Sequence, residues 1–194
     1  MGAEKVVPNV RVLIADDEAD FPCALRAVFH AACEEVAQIE DRIHDVERQL
    51  AALAKQTPLV ARLRSVPGVG LLTATALLAF VVDIHRFPSA REFASYLGLT
   101  PREVSSGARR RLGRISKRGD AYLRMLLIHG ARAVLTAAKR VEHPDRLRSW
   151  ALALEKRAKH NVATVALANK LARIIWAVWK NNSDYRSQPQ PLAV

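Results

Sequence analysis

Residues 25–53, LRAVFHAACEEVAQIEDRIHDVERQLAAL, decide the fold class. The apolar positions Leu25, Phe29, Ala32, Val36, Ile39, Ile43, Val46, Leu50 and Leu53 follow one another at spacings of 4, 3, 4, 3, 4, 3, 4 and 3. That is a heptad seam, the signature of a helix that pairs along one narrow stripe. Between the seam positions stand Glu34, Glu35, Glu40, Asp41, Arg42, Asp45, Glu47 and Arg48, and no Gly or Pro interrupts the run. The pattern predicts a coiled-coil helix over 25–55 whose partner is a second copy of the chain or another helix of the same chain. Its job is assembly, and a homo-oligomer is the expectation.

C-terminal to the seam, Thr57-Pro58 ends the helix, because the residue before a proline is driven out of the helical region. A short helix, Leu59 to Ser65, then meets Val66-Pro67-Gly68-Val69-Gly70, and an apolar helix follows from Leu71 to Val82. The order resembles a helix-hairpin-helix element. Gly68 and Gly70 can take positive φ and leave backbone N–H groups open at the start of the second helix, where an anion is favoured. Such a contact would grip a phosphate without reading sequence. The alternative is a tight connection that needs glycine for close packing. Thr73 and Thr75 line the helix. Next, Phe87-Pro88-Ser89 marks a helix entry, with Ser89 as N-cap and Glu92 three residues on, as in a capping box. Phe93, Tyr96 and Leu97 face the core, and Gly98 occupies a C-cap position.

The stretch that begins there, 98–120, GLTPREVSSGARRRLGRISKRGD, carries Arg102, Arg109, Arg110, Arg111, Arg114, Lys117 and Arg118 against only Glu103 and Asp120. Cations at this density are not core, and Gly107, Gly113 and Gly119 argue against one long helix. The expectation is a basic loop that grips a polyanion and holds two hydroxyls, Ser105 and Ser106, among its cations. Residue types alone also allow a solvated basic surface with ordinary turn serines.

Asp120 caps a further helix through Tyr122, Leu123, Leu126, Leu127, Ala131 and Leu135, whose other face shows Arg124, Arg132, Lys139 and Arg140; His129 is assigned to packing, and His143-Pro144 closes the helix. Two more helices are expected, Arg146–Lys159 and Val162–Lys180, the last with a broad apolar face of Val165, Leu167, Leu171, Ile174, Ile175 and Val178. Residues 181–194 read as a disordered tail. At the other end, 1–24 read as a remnant or linker. Val10 to Ile14 suits a short strand, and Asp16, Asp17, Glu18 and Asp20 suit the start of a helix better than a metal site. The fold class is therefore all-α: a coiled-coil helix (25–55) and a compact helical domain (58–180).

Composition narrows the partners. The 194 residues carry a formal net charge of +11 and half are hydrophobic, so a core is affordable. A folded protein this basic meets DNA or RNA first and an anionic membrane second. Cys23 and Cys33 are the only cysteines, which fits a reducing cytoplasm better than a disulfide framework or a zinc site. No run reads as a transmembrane span or a signal peptide, so the expected location is cytoplasmic and no membrane partner is expected.

The run from Val66 to Leu135, VPGVGLLTATALLAFVVDIHRFPSAREFASYLGLTPREVSSGARRRLGRISKRGDAYLRMLLIHGARAVL, resembles the C-terminal transposase domain of the insertion-sequence transposases guided by a structured bridge RNA. The likeness extends over roughly Leu25 to Lys180, since a coiled coil also belongs to that pattern. The family pairs an N-terminal RuvC-like domain, bearing four metal-binding acids, with a helical domain bearing a catalytic serine. The resemblance implies DNA transposition, with Ser106, just before the Gly of the SSG phrase, as the nucleophile that attacks a DNA phosphate; Ser105 is the rival hydroxyl. Gly68, Gly70, Arg102, Arg109, Arg110, Arg111, Arg114, Lys117 and Arg118, read above from their own positions and charges, are the expected phosphate contacts, and the resemblance implies DNA and a bridge RNA as partners. The expectation is that the RuvC-like part is absent. No metal or cofactor is then held by this chain, and Mg2+ belongs to the RuvC-like part. A DNA- or RNA-binding, dimerising chain without catalysis is the alternative reading.

Overall fold

A computed structural model describes residues 6–15, 22–103, 105 and 111–187. Among these, the elements in chain order are α1 (Val6–Ala15), α2 (Cys23–Lys55), α3 (Pro58–Arg64), α4 (Leu71–Val81), a 3-10 turn (Ile84–Arg86), α5 (Ala90–Tyr96), β1 (Pro101–Glu103), β2 (Leu112–Ile115), α6 (Ala121–Ala138), α7 (Arg146–Arg157) and α8 (His160–Lys180). The chain divides into two compact units, Met1–Ala52 and Leu53–Val194. The mostly helical fold expected from the sequence is what is found, with one small β-ribbon added.

In the first unit, α2 runs unbroken for 33 residues, about 50 Å at 1.5 Å per residue. Its seam is not buried: Phe29 is 40% exposed, Ile39 47%, Ile43 51% and Val46 54%. The strand expected at Val10 to Ile14 is instead the second half of α1. Pro8 explains why a helix is allowed: it lies in the first turn, where the missing N–H leaves no hydrogen bond broken. The Arg26 guanidinium donates to the carbonyl of Ile14 (2.8 Å) and so closes the end of α1. Cys33 is a buried free thiol. Asp16, Asp17, Glu18 and Asp20 lie outside the described residues.

The second unit is built around α8. Ala163, Thr164, Leu167, Ala168, Leu171, Ala172, Ile175 and Val178 are buried along it, and α3, α5, α6, α7 and the 3-10 turn all pack on it. Each fully buried Leu or Ile contributes about 1.5–3 kcal/mol relative to exposure, so Leu167, Leu171 and Ile175 alone make this helix the centre of the core. Among the described residues α8 is also the one helix long and apolar enough to cross a bilayer; here those apolar residues are spent on the protein's own interior.

The caps follow the sequence. Ser89 Oγ accepts from the N–H of Glu92 and donates to its carboxylate (3.3 and 3.2 Å); the N-cap half of the capping box is formed, while the Glu92 carboxylate takes the Ser89 hydroxyl in place of its backbone N–H. Asp120 accepts from Leu123 N–H at 2.7 Å, and Asp145 from Arg148 N–H at 2.8 Å. Helices α7 and α8 meet two residues off the expected boundaries, because Ala158 and Lys159 are extended and redirect the chain. Helix α6 ends at Ala138, five residues before His143. Residues 181–187 fall in the expected tail and are mostly exposed, but Tyr185 packs on the core, its N–H donates to Ser65 Oγ (2.9 Å), and Arg62 bonds Asn182.

Candidate nucleic-acid interface

Within the basic stretch, β1 and β2 form an antiparallel ribbon where a loop was expected. β1 pairs with β2 in the register Pro101 with Ile115 and Glu103 with Leu112. Extended strands suit this sequence because they spread like charges along two edges, whereas a helix would stack them within one turn. The ribbon's foot is pinned. Gly98 has φ +69, and a Cβ there would meet the backbone nitrogens of Gly119 and Arg118 at 2.9 and 3.0 Å. A Cβ on Gly119 would lie 1.8 Å from the carbonyl oxygen of Tyr96. Two incoming segments thus touch backbone to backbone, which only glycine permits. Lys117 N–H donates to the Gly98 carbonyl and Ser116 N–H to that of Thr100 (3.1 and 2.8 Å).

Arg124 was assigned to the open face of α6, but it is half-buried and does structural work. Its Nη1 donates to the carbonyls of Leu97, Gly119 and Asp120 at 3.2, 3.1 and 3.3 Å. From the other side, Asn169 of α8 donates to the Leu99 carbonyl at 3.0 Å. The ribbon therefore stands on α5, α6 and α8 together. No short pattern marks Arg124 or Asn169 in the sequence, since each acts across 27 and 70 residues of chain respectively.

Above that foot the surface is cationic. Arg102, Arg111, Arg114, Lys117 and Arg118 are exposed. Arg102 donates to the Ser116 carbonyl at 3.0 Å and so braces the two strands. Lys117 takes φ +55, a left-handed conformation that costs a non-glycine residue about 1 kcal/mol. It lies beside Arg124 and His129 on a cleft of about 280 Å³ whose apolar lining is Ala121, Met125 and Ile128. The packing role expected for His129 is thereby corrected: its ring is exposed at this cleft.

Of the two serines, Ser105 is described. Its Oγ donates to Glu103 Oε1 (2.9 Å) and accepts from the Arg111 N–H (3.2 Å), tying the last residue of β1 to the residue before β2. Ser106, Arg109 and Arg110 lie outside the described residues.

The two hairpin glycines separate. Gly68 has φ +79, and a Cβ there would meet the Gly130 carbonyl oxygen at 2.7 Å; a Cβ on Gly130 would meet that of Gly68 at 2.1 Å. Gly68 is thus also a close-packing residue against α6. Gly70 does not take the positive φ expected of it: it is extended (φ −86°, ψ −177°) and serves as N-cap of α4. It is exposed, with open space around its α-carbon. Gly70 gives the first turn of α4 no side-chain cap, and the leading N–H groups of a helix without one are those that an anion contact would use.

Comparison with known proteins gives this surface a context. Residues 60–151 match the family described as Transposase IS116/IS110/IS902. The chain is 40% identical over 185 residues to the "Probable family 20 transposase" of Pseudomonas aeruginosa, covering 95% of this chain and 54% of the relative. It is also 40% identical over 185 residues to the transposase for insertion sequence element IS1111A of Coxiella burnetii, covering 95% of this chain and 50% of that one. Against the transposase for insertion sequence element IS1328 of Yersinia enterocolitica it is 34% identical over 169 residues, covering 87% and 50%. The chain spans about half the length of these curated relatives.

Proposed function

We propose, from the match of residues 60–151 to the Transposase IS116/IS110/IS902 family, that the chain binds DNA through its basic ribbon and takes part in transposition with Ser106 as nucleophile. The observation that carries this reading is the ribbon itself: a cationic arm clamped to the core at its foot, with Ser105 just beyond the end of β1 and Ser106 the next residue in the sequence. Ser105 already spends its hydroxyl on Glu103 and Arg111, which favours its neighbour for chemistry.

In the proposed step the Ser106 hydroxyl attacks a DNA phosphate. An Oγ–P bond forms, one P–O bond to deoxyribose breaks, the hydroxyl proton goes to solvent or a base, and the departing sugar oxygen leaves as a free hydroxyl. The phosphodiester energy is kept in the phosphoserine, so a second strand's hydroxyl can reverse the step onto a new end. Arg102, Arg111, Arg114, Lys117 and Arg118 supply the cations that a phosphoryl transition state requires, together with Arg109 and Arg110 of the same stretch. The open N-terminus of α4 at Gly70 adds a sequence-blind phosphate contact. Where Mg2+ is needed, it acts through a RuvC-like part and not through this chain, and a bridge RNA is a second proposed partner. The α2 seam mediates self-association.

The test is capture of the intermediate. Purified chain is incubated with labelled duplexes carrying candidate element ends, and the products are denatured. DNA attached to protein, lost in Ser106→Ala but kept in Ser105→Ala, is the expected result. The exposed α2 seam favours one alternative, a DNA- or RNA-binding, dimerising chain without chemistry. Reversible binding with no adduct in any variant would establish that alternative and overturn the serine mechanism.

A further inference from the structure

Helix α8 buries one face in the core and shows a second pattern on the other. Lys170, Arg173, Ala177 and Lys180 recur at spacings of 3, 4 and 3, which keeps them within an arc of about 80° over roughly 15 Å of helix. There is no Asp or Glu anywhere in α8. Neither lysine is a loose surface charge. The Lys170 ammonium lies 4.0 Å from the centroid of the Trp150 ring, and that of Lys180 lies 5.3 Å from the Trp176 ring. Both indoles pack against the core, and Trp176 Nε1 is fixed by the carbonyl of Phe87 (3.1 Å). Cation–π contact thus holds each ammonium on a rigid ring.

The arrangement works against the fold. Burial and the nearby charges of Arg146 and Arg173 pull the Lys170 pKa below its ordinary value. Arg146 opens α7, where a cation opposes the helix dipole. The neighbouring acid does not compensate them: Asp145 caps α7 and pairs with Arg148 at 2.5 Å. The only other acid of α7, Glu155, is held by Lys139 and His160. Like charges kept together at a cost to stability indicate an external counter-charge.

We infer that Lys170, Arg173 and Lys180, flanked by Arg146, form a second phosphate-binding ridge that tracks a nucleic-acid backbone away from the ribbon. Asn169 locates the start of the ridge, because it bonds the Leu99 carbonyl at the ribbon's foot and Lys170 follows it in α8. A strand gripped by the ribbon can continue along α8 for about 15 Å, where duplex DNA presents about one charge per 1.7 Å of axis. The inference takes only the nature of the partner from the proposed function and is independent of Ser106.

The test measures binding of the full chain to a duplex DNA and to a hairpin RNA of similar length over a salt series. Three proteins are compared: the parent, Lys170→Gln/Arg173→Gln/Lys180→Gln, and Arg111→Gln/Arg114→Gln/Lys117→Gln in the ribbon. The ridge variant is expected to lose about 2.7 units of log–log salt slope on duplex DNA, about 0.9 for each of the three phosphate contacts removed, with a thermal melt no lower than the parent's. Loss on DNA alone, or on RNA alone, supports the ridge and identifies its strand. Lys170→Arg/Arg173→Lys/Lys180→Arg should restore the slope. An unchanged slope on both probes overturns the ridge, even if the ribbon variant loses binding. A slope lost in the ridge variant with no covalent adduct in the parent sinks the serine mechanism and leaves the ridge standing.

Discussion

Helices α2 and α8 are both long and amphipathic, and they meet opposite fates. In α8 the apolar face is broad, eight positions are buried, and four other helices close over it. In α2 the apolar positions form a narrow heptad stripe that stays between 37% and 61% exposed at Leu25, Phe29, Val36, Ile39, Ile43, Val46 and Leu53. The width of the stripe carries the lesson. A wide face fits a core in which several neighbours converge, and a narrow seam fits one partner helix. One helix thus serves as the scaffold that the ribbon stands on, while the other leaves its apolar stripe exposed.

The largest effects should come from breaking that contrast. Leu171→Asp places an unpaired carboxylate in the core and should cost more than about 4 kcal/mol, seen as loss of the cooperative melt. Ile43→Asp should leave that melt in place and lower the mass measured by sedimentation equilibrium. A melt damaged equally by both substitutions would remove the distinction between the helices.

A smaller effect separates the ribbon's foot from the open turn before α4. Gly119→Ala drives a methyl into the Tyr96 carbonyl and should cost about 3 kcal/mol. Gly70→Ala has space around it and should change stability by less than about 1 kcal/mol. Denaturant midpoints of the two variants decide the matter, and equal midpoints would show that the foot is not pinned.

The smallest effect is electrostatic and lies where α6, α7 and α8 meet. Hydrogen bonds from Lys139 and then His160 hold the Glu155 pKa below its ordinary 4.5. A depressed carboxylate stabilises the fold above its unfolded pKa, and that contribution is lost as pH falls through the lower folded value. Glu155→Gln should therefore lower the melting temperature near neutrality and make little difference well below pH 4.5. The same deficit at both ends of the pH range would rule out the linkage.

Much of this was legible in the residues. Heptad spacing marked α2 as a helix, while Ser89, Asp120 and Gly98 announced their caps and C-terminal turn, because each acts within a few residues of itself. The periodicity could not say what α2 packs against, since a seam has the same letters whether its partner is internal or external. The β-ribbon was hidden because only seven residues pair and their cations read first as a solvated loop. Gly70 shows a limit of composition: two glycines two positions apart suggested two positive φ values, yet only Gly68 needed one. The structural part of Arg124 and the contact of Lys170 with Trp150 depend on contacts between distant segments, whereas the brace of Ser105 on Glu103 and Arg111 and the contact of Lys180 with Trp176 are local but have no distinctive spacing to announce them. Charge counting marked the basic stretch at the ribbon but passed over α8, where three cations are spread over eleven residues.

The most direct measurement locates the covalent bond. Chain trapped on labelled duplex is digested with nuclease and protease, and the peptide spanning Ser105 and Ser106 is fragmented in a mass spectrometer. The account predicts a nucleotide remnant on Ser106 and an unmodified Ser105. A remnant on Ser105 would contradict it, as would unmodified peptide from a chain that binds the same duplex.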